Sequence, residues 1–286
     1  MAKVYDALRR AEEERRKHSD AAAPPIARLE WEPEVAPETA AVSAPKPPRV
    51  PLFRRFWPRR LAEEGAADFN KRRIAQLQPD SYIAEQFRAL RGRIDALETP
   101  DHRIRTIAVT SAVPGEGKTT ASINLALVTA LSLGRRVLLV DCDLRRPRVH
   151  SALGLRPKAG LAELLNGEVS FEEAVMRADG ADLDVLAVRD RPVNPSELLG
   201  SPAMRDLIAA VAKRYDRVIL DTPAALGLPD AKAVGDQCDG LVMVVRADKT
   251  RQEDVQSVLE ILGRGRVLGV VLNGTSVDQS RYGYQS

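Results

Sequence analysis

The chain has 286 residues, 44% of them hydrophobic, 29% charged and 4% aromatic, with a formal net charge of +3. That near balance leaves no overall basic footprint for nucleic acid, and no uninterrupted apolar run approaches the roughly 18 residues a membrane span needs, so a soluble protein is expected. Two cysteines and three scattered histidines offer no metal cluster. The start, "MAKVYDALRRAEEERRK", lacks the apolar core of a secretory signal, so Cys142 and Cys238 are expected as unbridged thiols in a reducing compartment.

In chain order, residues 1–18 read as a short helix with Val4, Leu8 and Ala11 on one stripe, too short to be stable alone. A docking peptide or a frayed end both fit it. Residues 19–79 are proline-rich without a sustained period, which predicts an extended, solvated linker. Inside it "PLFRRFWPRRL", at 51–61, sets four arginines among Leu, Phe and Trp without an acid. Such a segment suits anionic lipid headgroups, although a plain linker with adventitious arginines fits as well. An ordered domain is expected over 80–279, opening with "SYIAEQFRALRGRIDAL", where Ile83, Phe87, Leu90, Ile94 and Leu97 recur at helical spacing.

Beyond that helix, short aliphatic runs ("RTIAVTS", "RRVLLVD", "LDVLAV", "RVILD", "GLVMVVR", "VLGVVLNG") alternate with helical stretches such as "TTASINLALVTALSL" and "AMRDLIAAVAKR". Nearly continuous apolar strands between helices predict an α/β fold, a mostly parallel sheet covered on both faces. Ligands of such folds bind outside the carboxyl ends of the strands.

The stretch "TIAVTSAVPGEGKTTASINLA" joins a strand, a glycine-bearing loop and a helix. Pro114, Gly115, Glu116 and Gly117 form the bend, Lys118 can reach the β- and γ-phosphates of a nucleotide, and Thr119 can ligate Mg²⁺, with Thr120 next on the helix. This predicts a P-loop NTPase that binds ATP and Mg²⁺, although Ala112 stands where the motif's first glycine is usual. In "VLLVDCDLRRPR", Asp141 and Asp143 fall on one side and Cys142, expected as packing, on the other. Paired acids there can hold hydrated Mg²⁺ or accept a proton. Asp221, closing "RVILD", is a candidate direct or indirect metal carboxylate. Asn194 and Asp230 look like helix caps. Asn273, ending the last strand, can reach a nucleotide base or make a turn with Gly274.

"SAVPGEGKTT", "VLLVDCDLRRP", "ILDTP" and "NPSELL" together resemble the catalytic domain of the bacterial tyrosine kinases, the capsule and exopolysaccharide autokinases, over about 80–286. The resemblance implies phosphoryl transfer from Mg-ATP, with Lys118, Asp141, Asp143 and Asp221 catalytic and Thr119, Asp141 and Asp221 at the metal. It also implies that the flexible tail at 280–286 offers Tyr282 and Tyr284 to a neighbouring subunit. "EQFRALR" resembles the family's E-x-x-R-x-x-R motif, which implies that Glu85, Arg88 and Arg91 mediate contact in a ring; alone, the trio also reads as a solvated helix face with an i,i+3 ion pair. A separate transmembrane polysaccharide co-polymerase as activator and a place at the inner face of the plasma membrane follow from the same likeness. Against a partition or septum-site ATPase, Val113 stands where those proteins carry a second lysine.

Overall fold

The computed structural model describes residues 73–275 apart from 133 and 179. The expected helix at 1–18, the linker to residue 72 with its basic segment, and the tail with Tyr282 and Tyr284 lie outside the described residues. Regular structure starts earlier than the boundary expected at 80, with a one-turn helix, α1 (Ile74–Leu77).

Helix α2 (Tyr82–Ala96) begins at Ser81, whose hydroxyl accepts from the Ala84 N–H at 3.3 Å. Its buried stripe is Ala84, Phe87 and Ile94 with Leu90 beside them, and Ile83 and Leu97 of the expected stripe are exposed. The small Ala84 takes the inner position because the helix lies close on its neighbours. Two arginines fix it there. Arg217, almost wholly buried, bonds Asp95 at 2.7 Å, Glu98 at 3.1 Å and the Ile104 carbonyl, and Arg135 holds both Asp95 oxygens at 2.9 and 3.0 Å.

Next come β1 (Thr106–Ser111), α3 (Lys118–Ala130), β2 (Val137–Asp141), α4 (Val149–Leu153), α5 (Leu161–Leu165), α6 (Phe171–Ala174), β3 (Val175–Arg177) and β4 (Leu183–Leu186). They are followed by α7 (Pro195–Leu199), α8 (Pro202–Arg214), β5 (Arg217–Asp221), α9 (Asp230–Gly235), β6 (Gly240–Arg246), α10 (Gln252–Leu262), a 3₁₀ turn (Arg264–Arg266) and β7 (Val267–Asn273). The seven strands form one sheet in the order β3-β4-β2-β5-β1-β6-β7, parallel except for β3 against β4. All six expected strands are present. The sequence reading misses β3 because three residues, Val-Met-Arg, carry too little pattern.

The pleat divides the strands between two cores. Ala108, Leu138, Val140, Val218 and Leu220 pack with Leu198, Met204 and Ile208 on one face, and Ile107, Val109, Val137, Leu139 and Ile219 pack with Ile94, Ile123 and Leu127 on the other. Both faces of the central strands are therefore dry, and the buried acids Asp141 and Asp221 lie where two of those strands end. β1 is flanked by β5 and β6, so the loop leaving it opens at the point where the chain's winding reverses, the usual ligand crevice of such sheets.

Candidate functional site

Residues 112–117 connect β1 to α3. Gly115 at φ +85° and Gly117 at φ +100° adopt left-handed backbone, and at Gly117 a side chain would fall well inside contact distance of the Asn273 amide nitrogen. The left-handed backbone is what calls for glycine at both positions. Glu116 is completely buried, and its carboxylate accepts from the Val113 N–H at 2.8 Å and from the Thr250 hydroxyl. Its carbonyl accepts from Asn273 Nδ2 at 2.9 Å. The Glu116 side chain is thus an internal brace, and Asn273, expected near a base, is placed against the loop backbone.

Gly117 precedes α3 and offers no side-chain cap, and the Ala121 N–H bonds the Gly117 carbonyl at 2.9 Å. The N–H groups of a helix's first turn have no partner within the helix, and they carry its partial positive charge. With Lys118 and the exposed crest at Pro114 and Gly115 beside them, they make a cradle for an anion. Lys118 is itself largely buried, so its charge acts across a poorly screened gap.

Thr119 and Ser122 lie one turn apart on α3 and donate to the two oxygens of Asp221, at 2.6 and 2.9 Å. Because the Thr119 hydroxyl gives its proton to Asp221, its oxygen lone pairs are left for a cation. Burial lifts the Asp221 carboxyl to about 6; Lys118 and the two hydroxyls oppose the rise, and the Asp143 charge adds to it. Ser122 went unrecognised in the sequence, although a second hydroxyl three residues after Thr119 marks the same helix face.

Asp141 pairs with Asp221 in register across β2 and β5. It too is fully buried, and its carboxyl is held well above the ordinary range by burial first and then by the Asp221 charge. Its oxygens accept from three backbone N–H groups: Asp143 at 3.2 Å, Arg148 at 3.1 Å and Val149 at 3.0 Å. Asp141 therefore closes the start of α4 from outside that helix. Asp143 is the more accessible acid, and one of its oxygens accepts from the Arg146 N–H at 3.0 Å.

Two of the expected caps are built otherwise. Asn194 stands at the cap position of α7, but its amide donates to Glu197 at 3.0 Å and the side chain accepts no backbone N–H. Asp230 is the first residue of α9, after Pro229 as cap. Its buried carboxylate takes Arg145 Nε at 2.7 Å and the Ser196 hydroxyl, while Arg145 also bonds Ser196 at 2.8 Å. A buried carboxylate requires such a partner more than a helix end requires a cap, and the trio ties the loop after β2 to α7 and α9. Cys142 and Cys238 are free and buried, and burial raises both thiols.

In α2, Glu85 and Arg88 pair with each other, and Arg88 also bonds the Pro79 carbonyl at 2.7 Å. Arg91 is engaged within the same chain, by the Val128 carbonyl at 2.7 Å and the Ser132 hydroxyl.

The residues present fit a magnesium nucleotide. Among the described residues no group of three His, Cys, Asp or Glu is arranged to hold a metal. Mg²⁺ needs no such cage, since it keeps several waters and is bound through one or two side chains plus phosphate oxygens, which Thr119 and Asp221 can supply.

A family described as AAA domain matches residues 104–264. The tyrosine-protein kinase YwqD of Bacillus subtilis is 40% identical over 214 residues, covering 74% of this chain and 90% of that protein. A longer curated relative, 35% identical, is matched over 28% of its own length. The kinase domain of the Escherichia coli tyrosine kinase ETK superposes with a TM-score of 0.66 at 32% identity, over 71% of this chain and 82% of that one. The septum site-determining protein MinD of Pyrococcus horikoshii, at 22% identity and a TM-score of 0.52 over 59% of this chain and 68% of its own, shares the fold. With a phosphate loop joined to a buried strand-end acid, and with these kinases matched over 71–74% of its length, the chain belongs to the bacterial tyrosine-protein kinase family.

Proposed function

We propose that the protein is an ATP-dependent tyrosine autokinase acting on its own tail in trans, in the service of exopolysaccharide or capsule synthesis. One observation carries this reading: the Thr119 hydroxyl on Asp221, with Lys118 beside them and Asp141 in register, unites the phosphate loop with the acids of two other strand ends.

The first-turn amides of α3 and Lys118 hold the β- and γ-phosphates, and catalysis is mostly positioning and charge neutralisation. Thr119, with Asp221 bonded to its hydroxyl, would hold magnesium, which when bound would supply charge to stabilise the transferring phosphoryl group. Asp141 lies close to the same point, but its oxygens already serve three amides, so it keeps the loop after β2 in place. Asp143, more open, is positioned to take the phenolic proton. Tyr282 or Tyr284 of a neighbouring subunit is the acceptor, and an unperturbed phenol with a pKa near 10 needs that base at neutral pH.

Glu85 and Arg88, half-buried at the start of α2, form the contact between subunits in a ring, whereas Arg91 keeps α2 on α3. No described helix is long and apolar enough to cross a membrane. The activator is a transmembrane polysaccharide co-polymerase, and the 51–61 segment rests on anionic lipid at the inner face of the plasma membrane.

The test is to incubate the protein with Mg-ATP and the cytoplasmic segment of the co-encoded membrane partner, then map phosphotyrosine by mass spectrometry. Label on Tyr282 or Tyr284 that is lost in Lys118→Met, and lost from the tail in the double Tyr→Phe protein, is the expected result. ATP turnover without any tail label overturns the kinase reading in favour of a nucleotide switch.

A further inference from the structure

One polar cluster beside the phosphate loop has no task in the mechanism above. It belongs to residues 246–250, the last residue of β6 and the turn that leads to α10. The Thr250 hydroxyl donates to the buried Glu116 carboxylate and accepts from the Arg246 N–H at 3.0 Å. The Arg246 guanidinium donates to the Gly115 carbonyl at 3.2 Å. Lys249 Nζ stands 3.4 Å from where a Cβ on Gly115 would sit. Two cations from a distant part of the chain therefore lie on the exposed crest of the cradle.

The backbone that delivers them is itself unusual. Asp248, at φ +59°, is the one non-glycine residue with left-handed backbone among the described residues. Such conformations persist where the surroundings impose them, and they concentrate at ligand clamps. Here the turn returns Lys249 onto Gly115. Lys249 is exposed, and no described carboxylate pairs with its ammonium group. A lysine whose only purpose was solubility would have no reason to lie against a loop already bearing Lys118, since like charges repel. An anion seated between them turns that repulsion into attraction, and the phosphate oxygens of a nucleotide supply localised negative charge at that point.

We propose that residues 246–250 form a second wall of the nucleotide site, with Lys249 binding the phosphate chain and Arg246 and Thr250 positioning the loop. The inference rests on nucleotide binding at the phosphate loop, so its test must separate the two. Calorimetric titration of the full-length protein with Mg-ADP and with adenosine, at low and high salt, compares wild type, Lys249→Ala, Lys249→Arg and Lys118→Met. Lys249→Ala should weaken Mg-ADP by about tenfold, as for a lost charge-assisted contact, flatten the salt dependence and leave adenosine unchanged. Lys249→Arg should recover most of the affinity. If Lys118→Met weakens Mg-ADP while Lys249→Ala stays within about twofold of wild type, the second wall is refuted and the nucleotide site stands. If wild type binds no Mg-ADP, both readings fall.

Discussion

Asp141 and Asp221 end neighbouring parallel strands, face each other in register and are equally buried, yet they are held by different chemistry. Asp221 is surrounded by side chains of one helix, Thr119, Ser122 and Lys118, and it is tied to the helix that follows the phosphate loop. Asp141 is surrounded by backbone N–H groups of residues 143–149, and it determines where the following loop, with Asp143 and Arg145, is placed. Equal burial and position therefore do not make equal roles; the donors do.

If the division holds, the largest effect should come from Asp221→Asn, which keeps the shape but removes the charge behind Thr119. Tail phosphorylation should fall by roughly 10²–10³-fold, measured as initial rate at saturating Mg-ATP. An unchanged rate would place the metal-linked charge elsewhere.

The same substitution should stabilise the nucleotide-free, metal-free protein at neutral pH. Asp221 titrates at about 6 in the fold, against about 3.9 in an unfolded chain. Between those values the native state holds the extra proton, so the stabilisation from this group is full below about pH 4 and is lost as pH rises to about 6. Asp221→Asn escapes that decline, gaining up to about 3 kcal/mol at pH 7 and nothing at pH 3.5, in urea titrations across that range.

At pH 3.5, where no carboxylate charge is at stake, Asp141→Ala should act with the opposite sign. It leaves the Arg148, Val149 and Asp143 N–H groups without their acceptor, at a cost of about 1–3 kcal/mol, and the loss should appear in the same titrations with or without Mg-ADP. The smallest effect is expected from Ser122→Ala, about 1 kcal/mol for one hydrogen bond. Losing that donor also moves the Asp221 carboxyl higher, so the stability decline should extend to higher pH than in wild type.

Much of the sheet was legible in the sequence, because buried parallel strands are continuous aliphatic runs whatever surrounds them. The phosphate loop was legible too, since its glycines and Lys118 answer to backbone geometry and charge at fixed spacing. What escaped depends on contacts between distant residues. Glu116 reads as one more loop residue until Thr250 meets its carboxylate, and Asp230 reads as a cap until Arg145 and Ser196 reach it across three elements. The Ile83 and Leu97 ends of the α2 stripe failed for a related reason: periodicity marks a face, whereas the neighbours decide how much of it is covered.

The most direct test of the joined site is the magnesium dependence of ADP affinity, measured by calorimetry in wild type and Asp221→Asn. Mg²⁺ should tighten ADP by about tenfold or more in wild type and have little effect in the variant. Equal tightening in both proteins would show that the strand-end acid and the phosphate loop do not share one cation.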